Sequence, residues 1–249
     1  RYSAAPTIGL CNLPIGVEMR LADAYGVARQ DVALDWVGLN HLNWVRGAKI
    51  QGKNVWDEVF QRELADARQA EADGWRMAPG ILETLGMIPC GYLNYFYNHE
   101  QMLERQRAAA SSRGEEVKEI EKNLMKLYQD PELREKPKLL EERGGAYYSK
   151  AAISLISALA NDKHEVHIVN TRNAGAIPDL PDDVVVEVAA EISASGARPL
   201  PVAPMPPEIR GLVQAVKAYE VLTAVAGAEG DRRKALQALL AHPLTPSFA

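Results

Sequence analysis

The stretch Trp36–Val55, WVGLNHLNWVRGAKIQGKNV, is rich in β-branched and aromatic residues and carries two turn-like triplets, RGA at 46–48 and QGK at 51–53. That composition predicts short strands folding back on one another as hairpins, from about Ala33 to Val55. The text on either side is helical. Upstream, Ile8 and Leu10 lead through Cys11 and Asn12 into a segment with Val17, Leu21 and Tyr25 four apart, with Pro14 suited to its first helical position and Gly26 to its end. Downstream, helical periodicity runs over 56–71, and returns after Pro89, a residue able to open a helix, through YLNYFYNHEQMLERQ. Hairpin strands between helices predict a mixed helix and sheet domain of the α+β class.

Further along, residues 108–142 are highly charged and interrupted by SSRG and DPELREKP, yet Val117, Ile120, Leu124 and Leu127 form an apolar stripe. This reads as a solvated or partner-facing helical excursion. After Arg143–Gly145 the run AYYSKAAISLISALAND predicts a buried helix, because it is nearly free of charge. HEVHIVN and VVVEVAAEI predict strands flanking the loop TRNAGAIPDLPDD, and the prolines of RPLPVAPMPPE precede amphipathic helices at 208–226 and 231–241. No repeat divides the text, so residues 1–249 read as one domain.

Composition sets outer limits. Of the residues, 47% are apolar and 24% charged, which suits a soluble core-forming chain. The balance of 28 basic against 33 acidic residues argues against nucleic acid or an anionic membrane as partner. Two cysteines, Cys11 and Cys90, make no disulfide framework and suit a reducing, cytoplasmic setting, although one bridge between them stays open. The text opens on Arg1, and TIGLCN reads as the end of a strand already under way, which predicts a longer protein. Neither GxGxxG nor GxxxxGK[ST] occurs, so a nucleotide-binding turn is expected outside this chain.

Several polar side chains are candidates for chemistry. Cys11 stands just ahead of a helix start, where unpaired N–H groups and the positive dipole end favour thiolate, the metal-binding form; a small buried hydrophobe is the alternative. His41 lies in the strand-like GLNHLNW beside Asn40, and alone it reads as a structural histidine. One thiolate and one imidazole together make an incomplete coordination sphere that a chelating substrate could fill, with Asn12 and Asn40 binding hydroxyl groups. Tyr147 and Tyr148 follow a glycine pair between Arg143 and Lys150, whose charges would favour phenolate; packing is the plainer reading. Arg172 could grip a phosphate with two parallel hydrogen bonds, while Asn170 and Asn173 suit a turn.

Taken in order, LCNLP, GLNHLNW, RGGAYYSKAA, VNTRNAGAIPDLPDD and ALLAHPL resemble the later half of glycoside hydrolase family 4 across nearly the whole chain. Their asparagine after the cysteine is similar to the branch acting on 6-phospho-β-glucosides. The resemblance implies an NAD-binding domain upstream and a C-terminal domain like that of lactate and malate dehydrogenases. It also implies Cys11 and His41 as ligands to a divalent ion, commonly manganese, Tyr148 as the base, Asn12 and Asn40 as sugar contacts, and Arg172 as a phosphate contact. The family hydrolyses by transient oxidation at C3 and proton removal at C2, as an exception to two-carboxylate glycosidases. Homo-oligomers, dimers or tetramers, are implied as well. Two other readings stay open: a 2-hydroxy acid dehydrogenase-like domain, which would use no metal thiolate, and a non-catalytic sugar-phosphate binding or oligomerisation module. The roles of Cys90 and of the doubled tyrosine are left open by the pattern.

Overall fold

A computed structural model describes residues 7–69, 76–245 and 247. Helix α1 (Asn12–Tyr25) is capped by Cys11 at its start and by Gly26, at φ 63°, at its end. It begins two residues earlier than its proline suggests: Pro14 sits third in the first turn, where its missing N–H has no intrahelical partner to lose. Strands β1 (Val32–Leu39) and β2 (Leu42–Ile50) then pair antiparallel, turning at Asn40 and His41.

This hairpin differs from its sequence reading at one point. The triplet RGA lies inside β2, where the register shifts so that Asp35 faces Gly47 while Trp36 faces Val45. Arg46 is therefore a bulge residue. Its guanidinium is held by Asp35 at 2.9 Å and by the carbonyls of Ala203 and Pro204 at 3.2 Å, so the local glycine serves a bulge and not a chain reversal. QGK does form a turn into β3 (Lys53–Asn54), with Gln51 and Gly52 both at positive φ as a tight hairpin needs.

Next come α2 (Trp56–Gln69) and α3 (Pro79–Leu85); the part of the expected helix at 70–71 lies outside the described residues. Pro89 opens no helix. It ends β4 (Ile88–Pro89), which pairs with β2 through Trp44 and Val45, and the aromatic run behind it breaks into α4 (Asn94–Tyr97) and α5 (His99–Ala108). Its apolar side chains serve two short helices that change direction at Asn98. The charged region folds as α6 (Arg113–Leu127) and α7 (Leu139–Arg143). SSRG starts α6: Ser112 and Glu115 form a reciprocal capping box, a device worth about 1 kcal/mol. Helix α8 (Tyr148–Ala160) buries only Ala151, Leu155 and Ala158, leaving Ile153 and Ile156 more than 60% exposed. The expectation of a buried helix is thus corrected to a half-buried one: low charge gave the right helix and overstated its burial.

Strands β5 (Glu165–Arg172), β6 (Val185–Ser193) and β7 (Gly196–Pro199) form a second antiparallel sheet, followed by α9 (Pro207–Glu229) and α10 (Arg232–Ala241). β1 lies against β6, and one core joins the two sheets with α9 through Val37, Trp44, Val186, Val188, Met205 and Ile209. The fold is of the α+β class. No helix among the described residues is long and apolar enough to cross a membrane.

Candidate functional site

The segment before α1 is fastened to the second sheet by a single β-bridge. Gly9 donates to the carbonyl of Asn170 at 2.8 Å and accepts from its N–H at 2.9 Å. The approach requires glycine, since a Cβ at position 9 would stand 2.9 Å from Asn170 Cβ. Two residues on, the Cys11 Sγ accepts from the Leu13 N–H at 3.5 Å as the helix cap, and it is hydrogen-bonded to the side chain of Asn40. The β1–β2 turn thus meets the N-terminus of α1. Next to Asn40 in that turn, His41 adopts φ 62° and stacks on Tyr92, ring centroids 4.4 Å apart. Tyr92 in turn lies within electrostatic reach of Cys90, Cys11 and Tyr148. Cys11, the adjacent Asn40 and His41, and Tyr148, from three distant parts of the sequence, therefore border one region.

Behind that region lies Glu187, fully buried on β6. Its Oε1 accepts from Asn40 and Asn170 Nδ2, each at 3.1 Å; its Oε2 accepts from Asn43 Nδ2 at 2.7 Å and Trp36 Nε1 at 3.1 Å. Sequence reasoning missed it. A lone carboxylate in the apolar run VVVEVAA was the available signal, because such a residue is buried on a strand only when its lone pairs are satisfied. Tyr92 and the position of Asn170 were missed as well; Asn170 was read as a turn residue, and only Asn173 is one. Asn173 bonds the carbonyls of Ile177, Leu180 and Pro181 and the N–H of Ile177 from inside the loop.

The electrostatics reverse one expectation. Burial pushes the Cys11 thiol up, and the neighbouring Glu187 carboxylate adds to this, outweighing the cap hydrogen bond from Leu13 and the bond to Asn40. The helix N-terminus alone does not yield thiolate here. Burial lowers His41, so its imidazole is neutral near pH 7 and available as a ligand. Burial likewise pushes Glu187 above the usual carboxylate range against the pull of its four donors. Among the described residues, no three His, Cys, Asp or Glu side chains gather as a ready metal sphere. Cys11 and His41 can supply a thiolate and an imidazole, and further positions fall to oxygen donors.

The remaining predicted residues fall as follows. Asn12 donates from Nδ2 to the carbonyl of Ala146 at 3.1 Å, tying the start of α1 to the loop before Tyr148. Tyr148 is the first residue of α8 and is 44% exposed, open to a ligand. The cations expected to flank it are engaged by other groups. Arg143 is engaged by Glu121 at 2.8 Å, and Lys150 lies over the Tyr147 ring at 5.6 Å. Tyr147 is the left-handed residue, φ 67°, that turns the chain into α8. Arg172 shares a strand face with Asn170; its Nε donates to the carbonyl of Asp182 at 3.2 Å, and its Nη groups have no hydrogen-bond partner among the described residues.

Cys11 and Cys90 are both free and both buried. Burial pushes the Cys90 thiol up to about 12. Cys90 is accordingly expected to react with iodoacetamide at pH 8 about a thousandfold more slowly in the native chain than a free cysteine does. Mass spectrometry of the alkylated native and denatured chains measures this, and native labelling at the free rate would show the placement of Cys90 to be wrong.

The α+β fold gathers polar side chains where the first hairpin meets α1, at a sheet-to-helix junction. The description "Family 4 glycosyl hydrolase C-terminal domain" matches residues 36–245, and the chain belongs to that family. A protein of Bacillus subtilis (strain 168) named "Probable 6-phospho-beta-glucosidase" is 41% identical, covering 99% of this chain and 58% of its own length. The 6-phospho-beta-glucosidase of Escherichia coli (strain K12) is 34% identical over 96% of this chain and 55% of its own. A crystal structure of the Thermotoga maritima 6-phospho-beta glucosidase with manganese, NAD+ and glucose-6-phosphate superposes with a TM-score of 0.88 at 34% identity, over 97% of this chain and 56% of that one. The chain thus spans little more than half the length of the curated relatives it matches.

Proposed function

We propose that this chain is one domain forming the metal- and sugar-binding half of a 6-phospho-β-glucosidase. The observation that carries the reading is the linkage of four residues implied by the family motifs: Asn40 joins Cys11 to Glu187, and its neighbour His41 stacks on Tyr92, which has Cys11 and Tyr148 within electrostatic reach. The donor set suits a divalent ion such as manganese: a thiol, an imidazole held neutral, and amide carbonyls, with the buried carboxyl group of Glu187 nearby. Cys11 and His41 would hold it. When bound, the ion supplies Lewis acidity at a sugar oxygen, and NAD, held mainly by a preceding domain, supplies the oxidation at C3.

The chain's own groups have the remaining tasks. Tyr148 Oη removes the proton at C2. Asn40 and Asn12 accept sugar hydroxyls at their Oδ1 atoms, and the unpartnered Nη groups of Arg172 receive the 6-phosphate. Assembly as a homo-oligomer in the cytoplasm belongs to the same reading, supported by the exposed Ile153 and Ile156 of α8 and by two free thiols.

Turnover of a chromogenic 6-phospho-β-glucoside tests the proposal, with NAD+ and Mn2+ supplied and the chain joined to the implied NAD-binding half. In the chain itself, Cys11→Ser is expected to weaken Mn2+ binding by about a hundredfold or more, read by calorimetry. Unchanged affinity would remove Cys11 from the metal sphere.

A further inference from the structure

We infer that Glu187 is a positioning residue that sets which end of Asn40 and of Asn170 faces the site. The inference rests on the metal-and-sugar reading of that region. An amide side chain offers a donor end and an acceptor end of nearly equal size, so only its hydrogen-bond partners decide which end points where. Here one carboxylate oxygen collects the Nδ2 groups of both Asn40 and Asn170 at 3.1 Å. Asn40 is also hydrogen-bonded to the Cys11 thiol. With Nδ2 so engaged, the side-chain oxygens Oδ1 of Asn40 and Asn170 carry no hydrogen bond among the described residues. These are the atoms able to accept from a sugar hydroxyl or to ligate a hard cation.

The other oxygen of Glu187 is fixed independently. Trp36 Nε1 can only donate, and Asn43 Nδ2 spans Glu187 Oε2 and the carbonyl of Leu39 at 3.3 Å. β1, β2 and β6 thereby hold the carboxyl plane, and that plane holds the two amides. All four partners present N–H, an arrangement that only a four-fold acceptor satisfies. A glutamine at 187 keeps the shape but brings its own N–H2 against two donors. Either Asn40 and Asn170 turn over, or Asn43 and Trp36 lose their acceptor.

Glu187→Gln in the chain tests this through two readouts. The first needs no metal: the side-chain amide signals of Asn40 and Asn170 in a 15N-labelled sample are expected to shift, and a crystal structure is expected to show at least one amide reversed. The second is Mn2+ affinity, read from the resonance of free Mn2+, which is expected to fall by about tenfold or more. In an Asn40→Ala/Asn170→Ala background the same substitution is expected to change that affinity by less than about twofold, because its route of action is gone. A merely structural role would instead lower the melting temperature in both backgrounds alike and leave the affinity of the folded chain untouched.

Unshifted amides with wild-type Mn2+ affinity would overturn the inference, as would an undiminished effect in the double-alanine background. If Glu187→Gln does not fold, Glu187→Asp keeps the acceptors one methylene short and is expected to show a smaller loss of affinity and shifted amides; wild-type values of both would again overturn it. A wild-type chain that fails to bind Mn2+ counts against the proposed function, while the metal-free amide signals still decide the role of Glu187.

Discussion

In the chain joined to the proposed NAD-binding half, Tyr148→Phe is expected to lower kcat by about two to four orders of magnitude while leaving the fold intact. Tyr148 opens α8 with its ring 44% exposed, so the phenol reaches a ligand and contributes no core packing that phenylalanine would lose. The substitution removes one oxygen at the place where proton removal from C2 is proposed. Solvent exchange of the C2 hydrogen, followed by NMR in deuterated water, reports that step directly and separates it from sugar binding. Exchange at the wild-type rate in the phenylalanine variant would rule out Tyr148 as the base. Tyr147→Phe should leave both rates unchanged, because Tyr147 turns the backbone at φ 67° and packs beneath Lys150.

The second large effect lies in the hairpin that carries Asn40 and His41. Gly38→Ala is expected to destabilise the chain by about 3 kcal/mol or more, a fall in melting temperature of about 6 to 12 °C. Gly38 sits at φ 141°, and a Cβ there would stand 2.2 Å from the carbonyl oxygen of Leu42 and 2.7 Å from Asn43 Cα. Both obstacles are backbone, so no side-chain rotation relieves them. The displaced strand is the one that presents Asn43 to Glu187 and sets the two-residue turn, so Mn2+ binding is expected to weaken below the melting temperature too. A thermal unfolding curve matching wild type would show that the strands separate more easily here than their geometry implies.

Much of this molecule was legible in its residues. The strands of the first hairpin and of the second sheet followed from β-branched runs, and the end of α1 from Gly26. Errors arose where a local signal had two physical uses. A glycine after arginine served a bulge, because Asp35 and two distant carbonyls held Arg46. Pro89 lost its role as a helix starter to pairing with Trp44. For Cys11, the favourable helix end was legible; the burial and the carboxylate that outweigh it were not, since Glu187 lies 176 residues away in the chain.

The sequence by itself determined the residue types available for chemistry, their order, and the alternation of helix and strand, because those depend on neighbours within a few positions. Only the tertiary structure decided that β6 passes behind the first hairpin. That passage puts a buried carboxylate against Asn40, Asn43, Asn170 and Trp36, while the Gly9–Asn170 bridge and the Asn12–Ala146 hydrogen bond fasten the start of α1, with Cys11, to β5 and to the loop before Tyr148. The physical reason is that hydrogen bonds and charges act over a few ångströms of space, and packing, not chain distance, sets which groups come that close.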